Sequence, residues 1–210
     1  MNEYRFAIDS SYMDKFFSPI KNKAQFIELL MNSVKYMLLN PSVKKDRAHG
    51  EMVLITGKMS RIFFFKEGKY FTVNFPFLIS YEDAYFFSFK NKMNVDGRLT
   101  SEIISLINDN NFYSNCSFEF ATPISDYQEL NNEYYWDFVR ELLFIEDGYL
   151  RYDYDVENFN KHGKTDIHPL NHYDLFYSGN ATFKIGLKKA IKPDEFIDLL
   201  NIKTNCKFIS

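Results

Sequence analysis

Cysteine is nearly missing from this chain: Cys116 and Cys206 are the only two in 210 residues, and they lie far apart with no C-x-x-C spacing. The pair predicts neither a disulfide framework nor a zinc site, and it fits a reducing compartment. Long apolar runs are missing too. No window reaches 18 apolar residues, and F-P-F-L-I-S-Y (75–81) is too short to span a bilayer. The N-terminus, M-N-E-Y-R-F-A-I-D, carries an early acid and no seven-residue apolar run, so no signal peptide is expected. A soluble cytoplasmic protein with no membrane association is the expectation. Positive charge is not in excess either: the net charge is −3 and the pI about 5.8. That disfavours polyanion binding over the whole surface. The short basic spots (Lys44, Lys45 and Arg47; Lys188, Lys189 and Lys192) leave a local groove open to nucleic acid. No Gly-rich phosphate loop, nucleophile elbow or H-E-x-x-H occurs, which leaves NTPase, α/β-hydrolase and zincin readings without support.

What is present is apolar and aromatic. Hydrophobic residues make up 46%, enough to build a sizeable core and to exclude a disordered chain. There are 23 Phe and 15 Tyr. Codon usage in an AT-rich genome explains such an excess, so it is weak evidence for base-stacking surfaces.

Taken in order, residues 1–20 carry scattered aromatics and read as an amphipathic arm or short helix ended by Pro19. Residues 23–40 place Phe26, Ile27, Leu30, Val34, Met37 and Leu38 at threes and fours, which predicts a helix, and Asn40-Pro41 stops it. Residues 41–50 read as a charged loop holding His49 alone. Strands are expected at 51–56, 61–66 and 69–75, with one or two more within 79–90, as four consecutive antiparallel strands. A short helix is expected from Thr100, a strand at 115–121 with Phe118 and Phe120 on one face, and one long helix over 125–144 begun by Pro123 and Ser125. Gly148 suits a turn after it. The last third reads as strand 149–154, a long loop 155–171, strands 172–177 and 181–187, and a helix opened by Pro193. The expected fold is a single α+β domain over 1–210: an antiparallel sheet of about seven or eight strands packed with four or five helices.

The stretch 149–187 groups ionisable residues most tightly. Side chains alternate along a strand, so Arg151 and Asp153 share one face, His172 and Asp174 share another, and so do Thr182 and Lys184. If the three strands are neighbours, one sheet surface collects Arg151, Asp153, His172, Asp174 and Lys184, with His168-Pro169 at its mouth. Three chemistries use such a set. Acid–base catalysis on a phosphodiester would employ His172 as base or acid and His168 as second proton carrier. Arg151 or Lys184 would then stabilise an anion, and Asp153 would orient the imidazole. A divalent-metal site could draw on the histidines and a carboxylate, although Pro169 argues against the helical H-x-x-x-H geometry. No cofactor is otherwise expected. The third possibility is a structural ion-pair network in a protein whose aromatics, such as Tyr152, Tyr154, Tyr173 and Phe176, meet a protein partner.

R-Y-D-Y-D (151–155), H-P-L-N-H (168–172), K-I-G-L (184–187) and P-D-E-F-I-D-L-L (193–200) carry a resemblance. In order and spacing, this last third is similar to a bacterial domain-of-unknown-function family whose members end with R-x-D-Y, H-P-x-x-H, an R-I-P-V-like strand and P-x-x-F opening a helix. Lys184 and Gly186 depart from that pattern, which favours Arg and Pro there. R-Y-D with paired histidines also resembles small toxins of toxin–antitoxin pairs. The resemblance implies a bacterial accessory protein of a defence or mobile-element system, with a protein partner from a neighbouring gene. The alternative is a small His-dependent nuclease or phosphotransfer-type toxin.

Overall fold

The structure is a computed structural model describing residues 2–130, 133–163, 167–178 and 181–208. Its class is α+β. The strands are β1 (Glu3–Asp9), β2 (Ala48–Ile55), β3 (Arg61–Lys66), β4 (Lys69–Asn74), β5 (Leu78–Tyr81), β6 (Tyr85–Phe89), β7 (Met93–Asn94), β8 (Leu150–Tyr154), β9 (Asn171–Ser178) and β10 (Ala181–Leu187). The helices are α1 (Met13–Phe17), α2 (Lys23–Leu39), α3 (Gly97–Ile107), α4 (Ser117–Leu130), α5 (Tyr135–Phe144), α6 (Val156–Lys161) and α7 (Pro193–Leu199). Backbone contacts divide the chain into two compact units, one of Met1–Met13, Val43–Phe75 and Gly148–Ser210, the other of Asp14–Ser42 and Pro76–Asp147.

The first unit is a seven-stranded antiparallel sheet in the order β1-β2-β3-β4-β8-β9-β10. β2, β3 and β4 form a meander, but β4 pairs next with β8, so the chain leaves the sheet after Phe75 and returns at Gly148. Gly148 has φ +57°, and a Cβ there would meet the Asn74 side chain at 2.7 Å, so the return turn needs glycine for two reasons. Arg61 ties the same corner: its guanidinium donates to Thr72 Oγ1, Asn74 Oδ1 and the Gly148 carbonyl. Burial lowers its pKa to about 10. One sheet face collects Val53, Ile55, Phe63, Phe65 and Tyr152, closed by Phe196 of α7. The Phe196 ring stands nearly perpendicular to Phe63 and Phe65, 6.1 and 6.3 Å away. Pro193 at the helix start and Glu195, which accepts from the Lys192 N–H, hold α7 in place.

The second unit holds α1 from Asp14 on, α2 to α5 and a three-stranded sheet in the order β5-β6-β7. Asn22 caps α2 by accepting from Gln25 N, and Asn40 ends it in the left-handed region. Phe138 of α5 packs 5.1 Å from Phe89 and 6.0 Å from Phe77.

Several expectations are corrected. Residues 3–9 are the edge strand β1, not an arm or helix, because Phe6 and Ile8 bury one side of a period-two pattern against β2. His49 lies in β2 rather than a loop. β5 and β6 form a sheet of their own instead of continuing the meander. Residues 115–121 do not form a strand: α4 begins at Ser117, and Phe118 is 85% exposed, so the alternation there marks no buried face. The long helix is two, α4 and α5, with Pro123 inside the first. The loop 155–171 contains α6; its residues 164–166 and the Leu130 side chain lie outside the described residues. Cys116 and Cys206 are free and exposed.

Candidate functional site

The register of β4, β8, β9 and β10 sets the candidate site. Phe71, Arg151, Asp174 and Lys184 stand opposite one another in one row across the four strands, and Lys69, Asp153, His172 and Gly186 in the next. All eight positions therefore point to the same sheet face. Arg151, Asp153, His172 and Lys184 are brought together as the alternation predicts, with Asp174 at the centre.

The first row is a cation–anion–cation ladder. Asp174 Oδ2 accepts from Arg151 Nη2 at 2.5 Å, and Oδ1 from Lys184 Nζ at 2.8 Å. Arg151 Nε also donates to Asp153 Oδ2 at 2.5 Å. The Arg151 guanidinium lies over Phe176, whose ring stacks on Tyr149 at 4.3 Å. Burial works against the charge on Arg151, but Asp153 and Tyr149 together outweigh it and raise its pKa. Lys69 is lowered, mainly by burial and then by Arg151. Tyr149 is raised by burial.

In the second row Gly186 leaves space that Pro169 fills. A Cβ at Gly186 would come within 2.9 Å of the Pro169 ring. Pro169, so seated, presents its carbonyl to His172 Nδ1 at 2.8 Å. A carbonyl only accepts, so Nδ1 carries the proton and Nε2 keeps the lone pair. Nε2 accepts from Lys184 Nζ at 3.1 Å. The group orienting His172 is thus a main-chain oxygen rather than Asp153 or His168. His172 is 1% exposed and Asp174 2%.

His168 joins a second pair. Its Nε2 meets Asp155 Oδ2 at 2.9 Å, while its ring stands edge-on to His172 at 4.9 Å and parallel to His162 at 5.7 Å. Asp155 also caps α6 through Asn158 N. Burial would raise the Asp155 carboxyl, but the Asn158 bonds and His168 pull it down to about 2. The Asp155–His168 pair and the placing of Lys69 opposite Asp153 in the register escaped sequence reasoning, since nothing local signals either. Of the aromatics expected to meet a partner, Tyr152 is buried and donates to Asn171 Oδ1. Tyr173 packs on Phe196, Phe176 on Tyr149, and Tyr154 remains exposed.

Asp153, His172 and Asp174 offer ligand atoms all within 4.8 Å of one another, the one set of that kind among the described residues. The fold and this ladder define an α+β protein with a largely buried, mutually paired charge cluster at one end of an antiparallel sheet. Comparison of the chain with models of protein families, with curated proteins and with solved structures finds no match. No helix among the described residues is long and apolar enough to cross a membrane.

Proposed function

We propose that this chain is a non-catalytic recognition module that takes a protein partner along β10, in a bacterial accessory role of the defence or mobile-element kind. The observation carrying this reading is that the larger sheet ends at β10 with Phe183 59% and Leu175 36% exposed on one face. Strands at sheet edges are usually guarded by charge. The one charged side chain on β10, Lys184, instead folds back onto Asp174 and His172. An extended segment of the partner would add as a further strand beside β10, with its apolar side chains against Phe183 and Leu175. The ladder, in this reading, holds β8, β9 and β10 in register. The accessory role rests on the C-terminal resemblance.

Co-expression with the product of the neighbouring gene tests it. The wild type is expected to co-elute with that product on size exclusion, and Phe183→Asp to lose it. A product that never co-purifies with the wild type ends this reading.

The catalytic alternative, a nuclease or phosphotransfer-type toxin using Arg151, Asp153, His168, His172 and Lys184, is favoured by the convergence of four of these groups. Against it stand the burial of His172 and the engagement of both its ring nitrogens. Incubation with single-stranded RNA and DNA, with and without chelator, tests it. Cleavage that disappears in His172→Ala would restore it.

A further inference from the structure

We infer that Asp153, His172 and Asp174 form a divalent-cation site whose cation position is held here by the Lys184 ammonium.

Three features of the geometry support this. First, the donor set is mixed and convergent. One imidazole and two carboxylates present ligand atoms within 4.8 Å of one another, and His172 Nε2 lies 3.8 Å from Asp174 Oδ1. Two ligand atoms bonded at about 2.1 Å to one ion stand at most about 4.2 Å apart, so that pair fits without rearrangement and Asp153 needs only a small closing movement. Second, the outer partners are those a metal site uses. The Pro169 carbonyl fixes the Nδ1–H tautomer and aims the Nε2 lone pair at the carboxylates. Arg151 takes Oδ2 of both Asp153 and Asp174, which orients them and leaves the second oxygen of each for a cation. Third, a cation already sits there. Lys184 Nζ bonds both Nε2 and Asp174 Oδ1, at 3.1 and 2.8 Å.

Lys184 is the replaceable member. Its side chain is 37% exposed, so its head can swing into water. An ion of charge two then takes the Asp174 oxygen and the His172 lone pair that Lys184 now holds, and adds the attraction of Asp153, which among the described residues pairs with Arg151 alone. Imidazole with carboxylate suits first-row ions between hard and soft, such as Mn2+ and Zn2+. The lysine thus acts as a competitor built into the site.

The experiment titrates the full chain with MnCl2 and, separately, ZnCl2 by calorimetry. One ion per chain is expected, bound about tenfold more tightly by Lys184→Met, which removes the competitor. Asp153→Asn is expected to lose binding. His172→Gln alters a buried ring and can fail to fold, so the imidazole is followed in the wild type instead. Mn2+ is expected to broaden the His172 ring resonances before those of the exposed His49. Lys184→Met binding no more tightly than wild type, or His172 resonances untouched by Mn2+, overturns the inference. The partner-binding reading stands apart from it. Phe183 points to the opposite face from Lys184, so loss of co-elution in Phe183→Asp leaves the metal titration unchanged.

Discussion

Gly186 does more for the cluster than its missing side chain suggests. It lets the Pro169 ring close over β10, and Pro169 in turn supplies the oxygen that holds His172. A methyl at 186 forces the rigid ring outward. Gly186→Ala is therefore expected to cost about 1–3 kcal/mol in urea unfolding and to shift the His172 ring resonances. Asp174 is the second sensitive residue, since it alone joins Arg151 to Lys184. Asp174→Ala leaves the two cations facing each other across a largely buried site, for an expected loss of about 3–5 kcal/mol. Arg140→Ala, which breaks an exposed pair with Asp137, is expected to change stability by under about 1 kcal/mol in the same assay. The faces of Arg151, Asp153, His172, Asp174 and Lys184 were legible beforehand because period-two alternation is local. Lys69 was not, because its place opposite Asp153 depends on register between segments far apart in the chain. Asp155 was not, because its pairing with His168 depends on how the segment between β8 and β9 folds back.

α7 covers its sheet face with the Phe196 ring at the centre and Ile197 beside it. Phe196 is fully buried and packs against Phe63, Phe65, Tyr70 and Tyr173. Truncation to Ala removes that ring from the centre of the cluster, and about 3–5 kcal/mol is the expected cost by denaturant melt. α6 depends on a charge instead. Its cap Asp155 titrates at about 2 when folded, below its ordinary value of 3.8. A depressed carboxyl contributes stability above the unfolded value and loses it as pH falls through the folded one. The amides of residues 156–161 are thus expected to lose protection as pH falls from about 4 to about 2. Asp155→Asn should remove that acid step. Elements with strong helical or strand period, such as α2, β3 and β10, were readable from the sequence alone. Residues 115–121 were misread because Phe118 and Phe120 alternate without a buried side. β1 was misread because so short an alternating run takes its meaning only from its pairing with β2.

At the scale of the whole molecule, charge argues against a duplex-binding role. With a net charge of −3, the chain lacks the surplus of cations that would release counterions from DNA. Basic residues are also committed elsewhere: Arg47 pairs with Asp9, and Arg151 and Lys184 with the aspartates. Fluorescence anisotropy with random duplex DNA at physiological salt is expected to show binding weaker than about 100 μM. The division into two units was not foreseen, nor was the pairing of β4 with β8. Sequence by itself determined the α+β class, the period of most elements and the side-chain faces of β8, β9 and β10, because these follow from hydrophobic spacing within a few residues. Only the tertiary structure decided that Gly148 brings the chain back beside β4, and that Pro169 settles over Gly186. It also decided that two aspartates, two cations and an imidazole complete one another. Strand order and register join segments separated by long stretches of chain, and their energies come from contacts that no local pattern contains.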